Sequence, residues 1–127
     1  YLEETQTAHL SWSSQGRGYF LPEEVRQAIE DKITKDESSW RQPGENSSGP
    51  LSCFDSKENR ERRKRAESMA NELNCTSQNI AGAWSLNQNF PSFALIGPRN
   101  ITEIDTSLPS LDIVISKEKS DWLNLQL

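Results

Sequence analysis

The sequence predicts an α/β fold whose parallel sheet is incomplete within this chain. Strand-like and helix-like segments alternate along the 127 residues, the order expected when helices cross over between parallel strands. Only two segments read as clear strands, whereas a parallel sheet needs several, covered on both faces. Further strands are therefore expected outside this chain, in another segment or another molecule.

Residues 8–14, Ala8-His9-Leu10-Ser11-Trp12-Ser13-Ser14, read as the first strand. Leu10 and Trp12 fall on one face, Ser11 and Ser13 on the other. Gly16 and Gly18 then break the chain into a loop. Pro22-Glu23-Glu24 opens a helix to about Thr34, with proline in the first turn and carboxylates at the positive end of the dipole. Residues 35–54 place Pro43, Gly44, Gly49 and Pro50 among serines and read as a long surface loop, with Trp40 as a lid or docking side chain. Asp55 or Ser56 caps the next helix, whose apolar stripe is Ala66, Met69, Ala70 and Leu73, and Asn74 stops it. Thr76 caps a helix with Ile80, Ala81, Ala83, Trp84 and Leu86 on its apolar positions. After Pro91, the run Phe93-Ala94-Leu95-Ile96 fits a strand buried on both faces. Gly97-Pro98-Arg99-Asn100 turns into a short helix, Ile101 to Leu108. Leu111 through Ile115 then leads to a last helix, capped by Ser116 and carrying Trp122, Leu123 and Leu125. Trp84 and Trp122 lie on apolar stripes and read as core.

Composition narrows the function classes. Hydrophobic residues make up 33%, and even with the six glycines the total falls short of the roughly 45–50% usual in a soluble domain. Such a chain has a thin core, or completes it against another segment. The net charge of −5 argues against general adhesion to nucleic acid or anionic membranes. No apolar run reaches the ~18 residues of a membrane span, and Tyr1-Leu2-Glu3-Glu4 lacks the features of a signal peptide. The chain begins without methionine, which fits a fragment and a processed chain equally. Cys53, Cys75 and the lone His9 exclude the usual structural zinc patterns. The two cysteines read as free thiols in a reducing, cytoplasmic setting rather than as a disulfide. On that reading the Asn-x-Ser/Thr matches at Asn46, Asn74 and Asn100 are fortuitous. The basic run from Lys57 to Arg65 reads as the solvated face of a helix, because Glu58 and Glu61 dilute it and no aromatic is interleaved.

Both strands end in loops that carry anion-binding groups, and parallel α/β structures bind ligands at those strand ends. Ser13-Ser14-Gln15-Gly16-Arg17-Gly18 offers hydroxyls, an amide, a cation and backbone N–H groups that glycine leaves approachable, the donors a diphosphate uses. A plain turn is the competing reading. Ile96-Gly97-Pro98-Arg99 sets a guanidinium at a helix start, where free N–H groups and the dipole also favour an anion. An exposed arginine in a solvated turn is the alternative there.

Two blocks carry a resemblance. Ala81-Gly82-Ala83-Trp84-Ser85-Leu86-Asn87-Gln88, followed by Pro91 and Leu95-Ile96-Gly97-Pro98-Arg99, resembles the closing part of an aldo-keto reductase. Ser11-Trp12-Ser13-Ser14-Gln15-Gly16-Arg17-Gly18-Tyr19-Phe20 resembles that family's segment at the seventh strand, and the blocks occur in the expected order. The resemblance implies that residues 1–127 are the C-terminal portion of a (β/α)8 TIM barrel, about its last two βα units. It further implies an oxidoreductase using NADPH/NADP+ to interconvert a small carbonyl substrate and its alcohol. Trp12 then occupies the place of the aromatic that stacks on the nicotinamide. Ser13, Gln15 and Arg17 fall where the pyrophosphate and ribose run, and Gly97 and Arg99 where the adenosine 2′-phosphate is held. Arg99 is therefore expected to face the serine-rich bend. Glu103 and Ser107 fall near phosphate and adenine but depart from the family's usual Gln or Arg and Asn, and an acid at 103 repels a phosphate. The family's catalytic Asp, Tyr, Lys and His lie upstream of both blocks, so neither Tyr19, His9 nor any lysine inherits a catalytic role. The expected partner is the missing N-terminal barrel segment, or further copies of the chain. A catalytically silent homologue kept for interaction or assembly is the alternative.

Overall fold

The computed structural model describes residues 1–35 and 54–127. The long loop, with Trp40, Cys53 and Asn46, falls on residues 36–53, outside the described residues. The elements run α1 (Leu2–Thr5), β1 (His9–Ser11), α2 (Glu23–Lys35), α3 (Lys57–Leu73), α4 (Ser77–Leu86), β2 (Ser92–Ala94), α5 (Ile101–Ser107) and α6 (Lys117–Leu123), with short 3₁₀ turns at Gly16–Gly18 and Leu108–Leu111.

Helix boundaries follow local hydrogen-bond chemistry. Ser56 accepts from the Asn59 N–H to start α3, and Asn74, left-handed at φ 52°, ends it. Thr76 and Asn79 form a reciprocal capping box at the head of α4, and Ser116 caps α6 through the Lys119 N–H. Leu125 lies beyond α6, which ends at Leu123, because it adopts φ 64° in the chain's final turn.

The core is helical. Ala66, Met69 and Ala70 of α3 pack with Ile80 and Ala83 of α4, with Leu123 of α6 and with Ile115 just before it; Trp84, Trp122 and the free Cys75 border this cluster. Leu73, on the same predicted stripe, is half exposed at the end of α3.

The strands pair in parallel, His9 with Ser92, Leu10 with Phe93 and Ser11 with Ala94. Parallel neighbours require a long crossover, and helices α2 to α4 lie along it. Both strands are shorter than the sequence suggests. β1 stops at Ser11 because Ser13 enters the left-handed region at φ 58°. The expectation that the second strand is buried on both faces is not met: Phe93 is 55% exposed, and Leu10 beside it 59%. No third strand among the described residues covers them. Behind the bend that follows β1 lies a cavity of about 260 Å³, bordered by Phe20, Arg62, Ala66, Ile80, Trp84 and Leu123. The Trp84 Nε1 is buried without a hydrogen-bond partner.

The arginines of the basic run of α3 mostly contact their own neighbours, while Lys57 and Lys64 are exposed. Arg60 bridges to Asp55 at 2.9 Å, Arg65 to Glu61 at 3.2 Å, and the Arg62 Nη1 donates to Asn59 at 2.9 Å. Arg63 stacks over the Tyr19 ring at 4.9 Å and Arg65 over Trp122 at 5.1 Å. No helix among the described residues is long and apolar enough to cross a membrane.

Candidate functional site

Parallel pairing puts the loops after β1 and β2 at the same end of the sheet. Hydrogen bonds then tie them together. The Leu95 N–H donates to the Ser11 carbonyl at 3.0 Å, and the Ser14 hydroxyl donates to the Leu95 carbonyl at 3.2 Å. Ser85 of α4 donates from below to the Ser14 carbonyl at 3.4 Å. Ser14 is thus the clasp between the loops, a role that no motif in the sequence announces.

The bend is tightly wound. Ser13, Gly16, Arg17 and Gly18 all have positive φ, at 58°, 65°, 52° and 94°. Glycine adopts this region freely, but Ser13 and Arg17 each carry strain of roughly 1–3 kcal/mol, which surrounding contacts must hold in place. Two such contacts are visible: the Gly16 N–H bonds the Ser13 carbonyl at 2.7 Å, and Arg17 Nε donates to the Ser13 hydroxyl at 3.1 Å.

Tyr19 anchors the bend's far side. It is buried, donates to Asp55 at 3.1 Å, and has the guanidinium groups of Arg63 and Arg26 over its ring at 4.9 and 5.9 Å. Burial, and then the hydrogen bond to Asp55, hold its phenol above the ordinary value, while the Arg60 hydrogen bond pulls the Asp55 carboxyl below its own. Tyr19 is a neutral structural phenol, poorly suited to proton transfer.

The second loop reaches the first through its helix. Gln15 Nε2 donates to the Ser107 hydroxyl at 3.2 Å, and that hydroxyl donates onward to the Glu103 carbonyl at 2.7 Å. Gly82 of α4 lies close beneath this contact. A Cβ built there meets Ser110 Oγ at 2.7 Å and Ser110 Cβ at 3.1 Å, so glycine gives the closest approach of the Leu108–Leu111 turn, which follows Ser107, to α4. Gln15 and Ser107 thus join the two loops, while Arg17 and Ser13 pair within the first.

Trp12 stands apart from that network. Its indole is 81% exposed at the end of β1, a free aromatic face. Gly97 is exposed, with nothing near its Cα hydrogens.

Arg99 departs from expectation. Its side chain is 81% exposed and makes no hydrogen bond to the serine-rich bend. It is held instead by Glu103 in the first turn of α5: Nη2 and Nε donate to Oε1 at 2.9 and 3.1 Å, and the backbone N–H donates to Oε2 at 2.8 Å. The i,i+4 spacing and the capping of α5 by Asn100, which accepts from the Glu103 N–H at 3.0 Å, bring carboxylate and guanidinium together. These donors, the backbone N–H first, hold the Glu103 carboxyl below its ordinary value.

The described residues contain no cluster of three or more metal-ligating side chains. His9 is exposed, with its ring edge-on to Phe90 at 6.1 Å. Parallel strands joined by a helical crossover, with polar loops gathered beyond their C-terminal ends, define an α/β protein of the class that binds ligands at the strand ends. A sequence profile of the aldo/keto reductase family matches residues 7–124, and the chain belongs to that family of oxidoreductases. No curated protein and no solved structure matches it.

Proposed function

We propose that residues 1–127 form the C-terminal part of an aldo/keto reductase domain, the last two βα units of a (β/α)8 barrel. This part supplies the NADP(H)-binding flank of a carbonyl reductase without its catalytic tetrad. One observation carries the reading: the parallel register of β1 and β2 sets the two donor-rich loops side by side, joined through Ser14 and through Gln15–Ser107. The exposed strand side chains Leu10 and Phe93, and the cavity behind the bend, support a complementing barrel segment as the partner.

The residues present fit a nicotinamide coenzyme unevenly. The bend suits a diphosphate: its hydroxyls, its Arg17 cation and its glycine-shaped backbone crowd one small surface. Trp12 offers an apolar platform for a flat ring, and Gln15 and Ser107 offer polar groups where the two loops join. Arg99 is the natural group for a 2′-phosphate, yet it already carries an anion. When bound, the coenzyme supplies hydride to a carbonyl carbon. The chain's own residues orient and hold it, and proton donation falls to the complementing segment, because Tyr19 is buried against Asp55. A catalytically silent, interaction-only homologue is the second reading, favoured by the self-satisfied Arg99.

Titration of the chain with NADPH and with NADH, followed by coenzyme fluorescence, tests the reading. Both bind, and Trp12→Ala weakens both by roughly two- to tenfold, the scale of a lost aromatic contact. Absence of binding, or indifference of both coenzymes to the loss of Trp12, sinks the proposal. Carbonyl reduction on addition of the upstream barrel segment distinguishes the enzyme from the silent homologue.

A further inference from the structure

We propose that the cavity behind the bend binds a small aromatic carboxylate, its rings among the helices and its charge on Arg62. The cavity measures about 260 Å³. An apolar cavity of about 150 Å³ accepts one benzene ring, so this larger one suits a body of fused rings. Its buried lining includes Ala66 of α3, Ile80 and Ala81 of α4 and Leu123 of α6. The aromatic side chains Phe20 and Trp84 border it as well, each partly buried. Left empty, such a space forfeits packing contacts that a flat apolar body restores.

Arg62 supplies the polar end. It borders the same cavity and is partly exposed, which places the cation where the lining opens toward solvent. The other arginines of α3 are committed: Arg60 to Asp55, Arg63 to Glu67 and Glu23, and Arg65 to Glu61. Among the described residues Arg62 pairs with no carboxylate, and its one hydrogen bond runs from Nη1 to the neutral Asn59 amide at 2.9 Å. Glu58, a turn earlier, senses its charge without reaching pairing distance. Nε and Nη2 are left for a carboxylate, the fork that arginine offers to two parallel acceptors. The Trp84 indole N–H is a further unmet donor on a residue that borders the cavity. This site goes beyond the coenzyme reading. Of the residues expected to meet the coenzyme, Ser13 alone borders the cavity, and neither Leu10 nor Phe93 does. A complementing segment can therefore cover the strands and leave the cavity open.

Calorimetric titration of the full chain with naphthoate and with its uncharged counterpart, naphthalenemethanol, tests the proposal. Naphthoate should bind once per chain and about tenfold more tightly than the alcohol, the low end of a charge-assisted bond because Arg62 is partly in water. Arg62→Met keeps the stem and removes the charge, so it should weaken naphthoate about tenfold and leave the alcohol within about twofold. Lys64→Gln, the same loss of charge on an exposed α3 side chain outside the lining, should change neither. Ala81→Leu should fill the cavity and abolish both, with circular dichroism confirming the fold; if that variant unfolds, the contrast between Arg62→Met and Lys64→Gln decides alone. Failure of naphthoate to bind, equal affinity for acid and alcohol, or equal losses in Arg62→Met and Lys64→Gln overturns the proposal. So does naphthoate binding that survives a folded Ala81→Leu, which marks an adventitious surface site.

Discussion

The helical layer and the strand pair of this molecule differ in how far each is finished. Helices α3, α4 and α6 close on a core in which Ile80 and Ala83 are almost wholly removed from solvent, and every cap on these helices is made. The strands are three residues each, with apolar side chains open to water on both. Burial of apolar surface is the main driving force for folding, so the stability of this chain resides in the helices. The candidate site sits on the unfinished side. Its first loop is held by polar clasps, to α4 through Ser85 and to α5 through Ser107, rather than by a surrounding sheet.

The comparison breaks most visibly under substitution. Ile80→Ala opens a cavity at the centre of the helical core and should cost about 2–5 kcal/mol in urea denaturation. Phe93→Ala, although it removes a larger side chain, should change stability by no more than about 0.5 kcal/mol, because that side chain is half in water already. Equal losses at the two positions would show that the strand face is covered in solution, by a second copy or by another segment. Concentration-dependent melting would tell which.

A smaller effect tests the link between the layers. Gly82→Ala gains roughly 1 kcal/mol of helix propensity but drives a methyl group into Ser110. Overpacking of this kind costs about 1–3 kcal/mol, so a modest net destabilisation is expected. The sharper readout is binding, since the displaced turn carries Ser107 away from Gln15. Weaker binding of both coenzymes at little cost in stability identifies Gly82 as a positioning residue; an unchanged affinity refutes that.

The helices were legible in the sequence because their signals are local. Ser56, Asn74, Thr76 and Ser116 each act on backbone groups within one turn, and each does so at the position its residue type implies. The strands were legible in kind but not in extent. Alternation at residues 8–14 continues past Ser11, and nothing in it foretells the left-handed turn at Ser13. The apolar run at 93–96 expresses burial among neighbours that these residues do not supply. Within the candidate site, grouping of the two loops followed from parallel topology alone. The orientation of Arg99 did not, although the i,i+4 pattern of Arg99 and Glu103 was in plain view. An acid near an expected phosphate reads as repulsion of a ligand, and the structure puts that acid to a nearer use, as the arginine's own counter-ion.

That counter-ion gives the smallest effect and the finest test of how independent the second loop is. The Glu103 carboxyl is held below its ordinary value of 4.5 by Arg99, so its contribution to stability is complete above that pH. It fades as pH falls through the lowered folded value, when the carboxylate takes up a proton and releases the guanidinium. Glu103→Gln lacks the charge at every pH. Wild type and variant should therefore differ slightly in thermal midpoint at neutral pH and converge in acid, with added salt narrowing the neutral gap because the pair is exposed. The helical core contributes equally to both proteins and cancels in the comparison, so a gap that persists in acid would mean that Glu103 supports the fold by packing rather than by charge. A gap that closes assigns the second loop's order to that one ion pair.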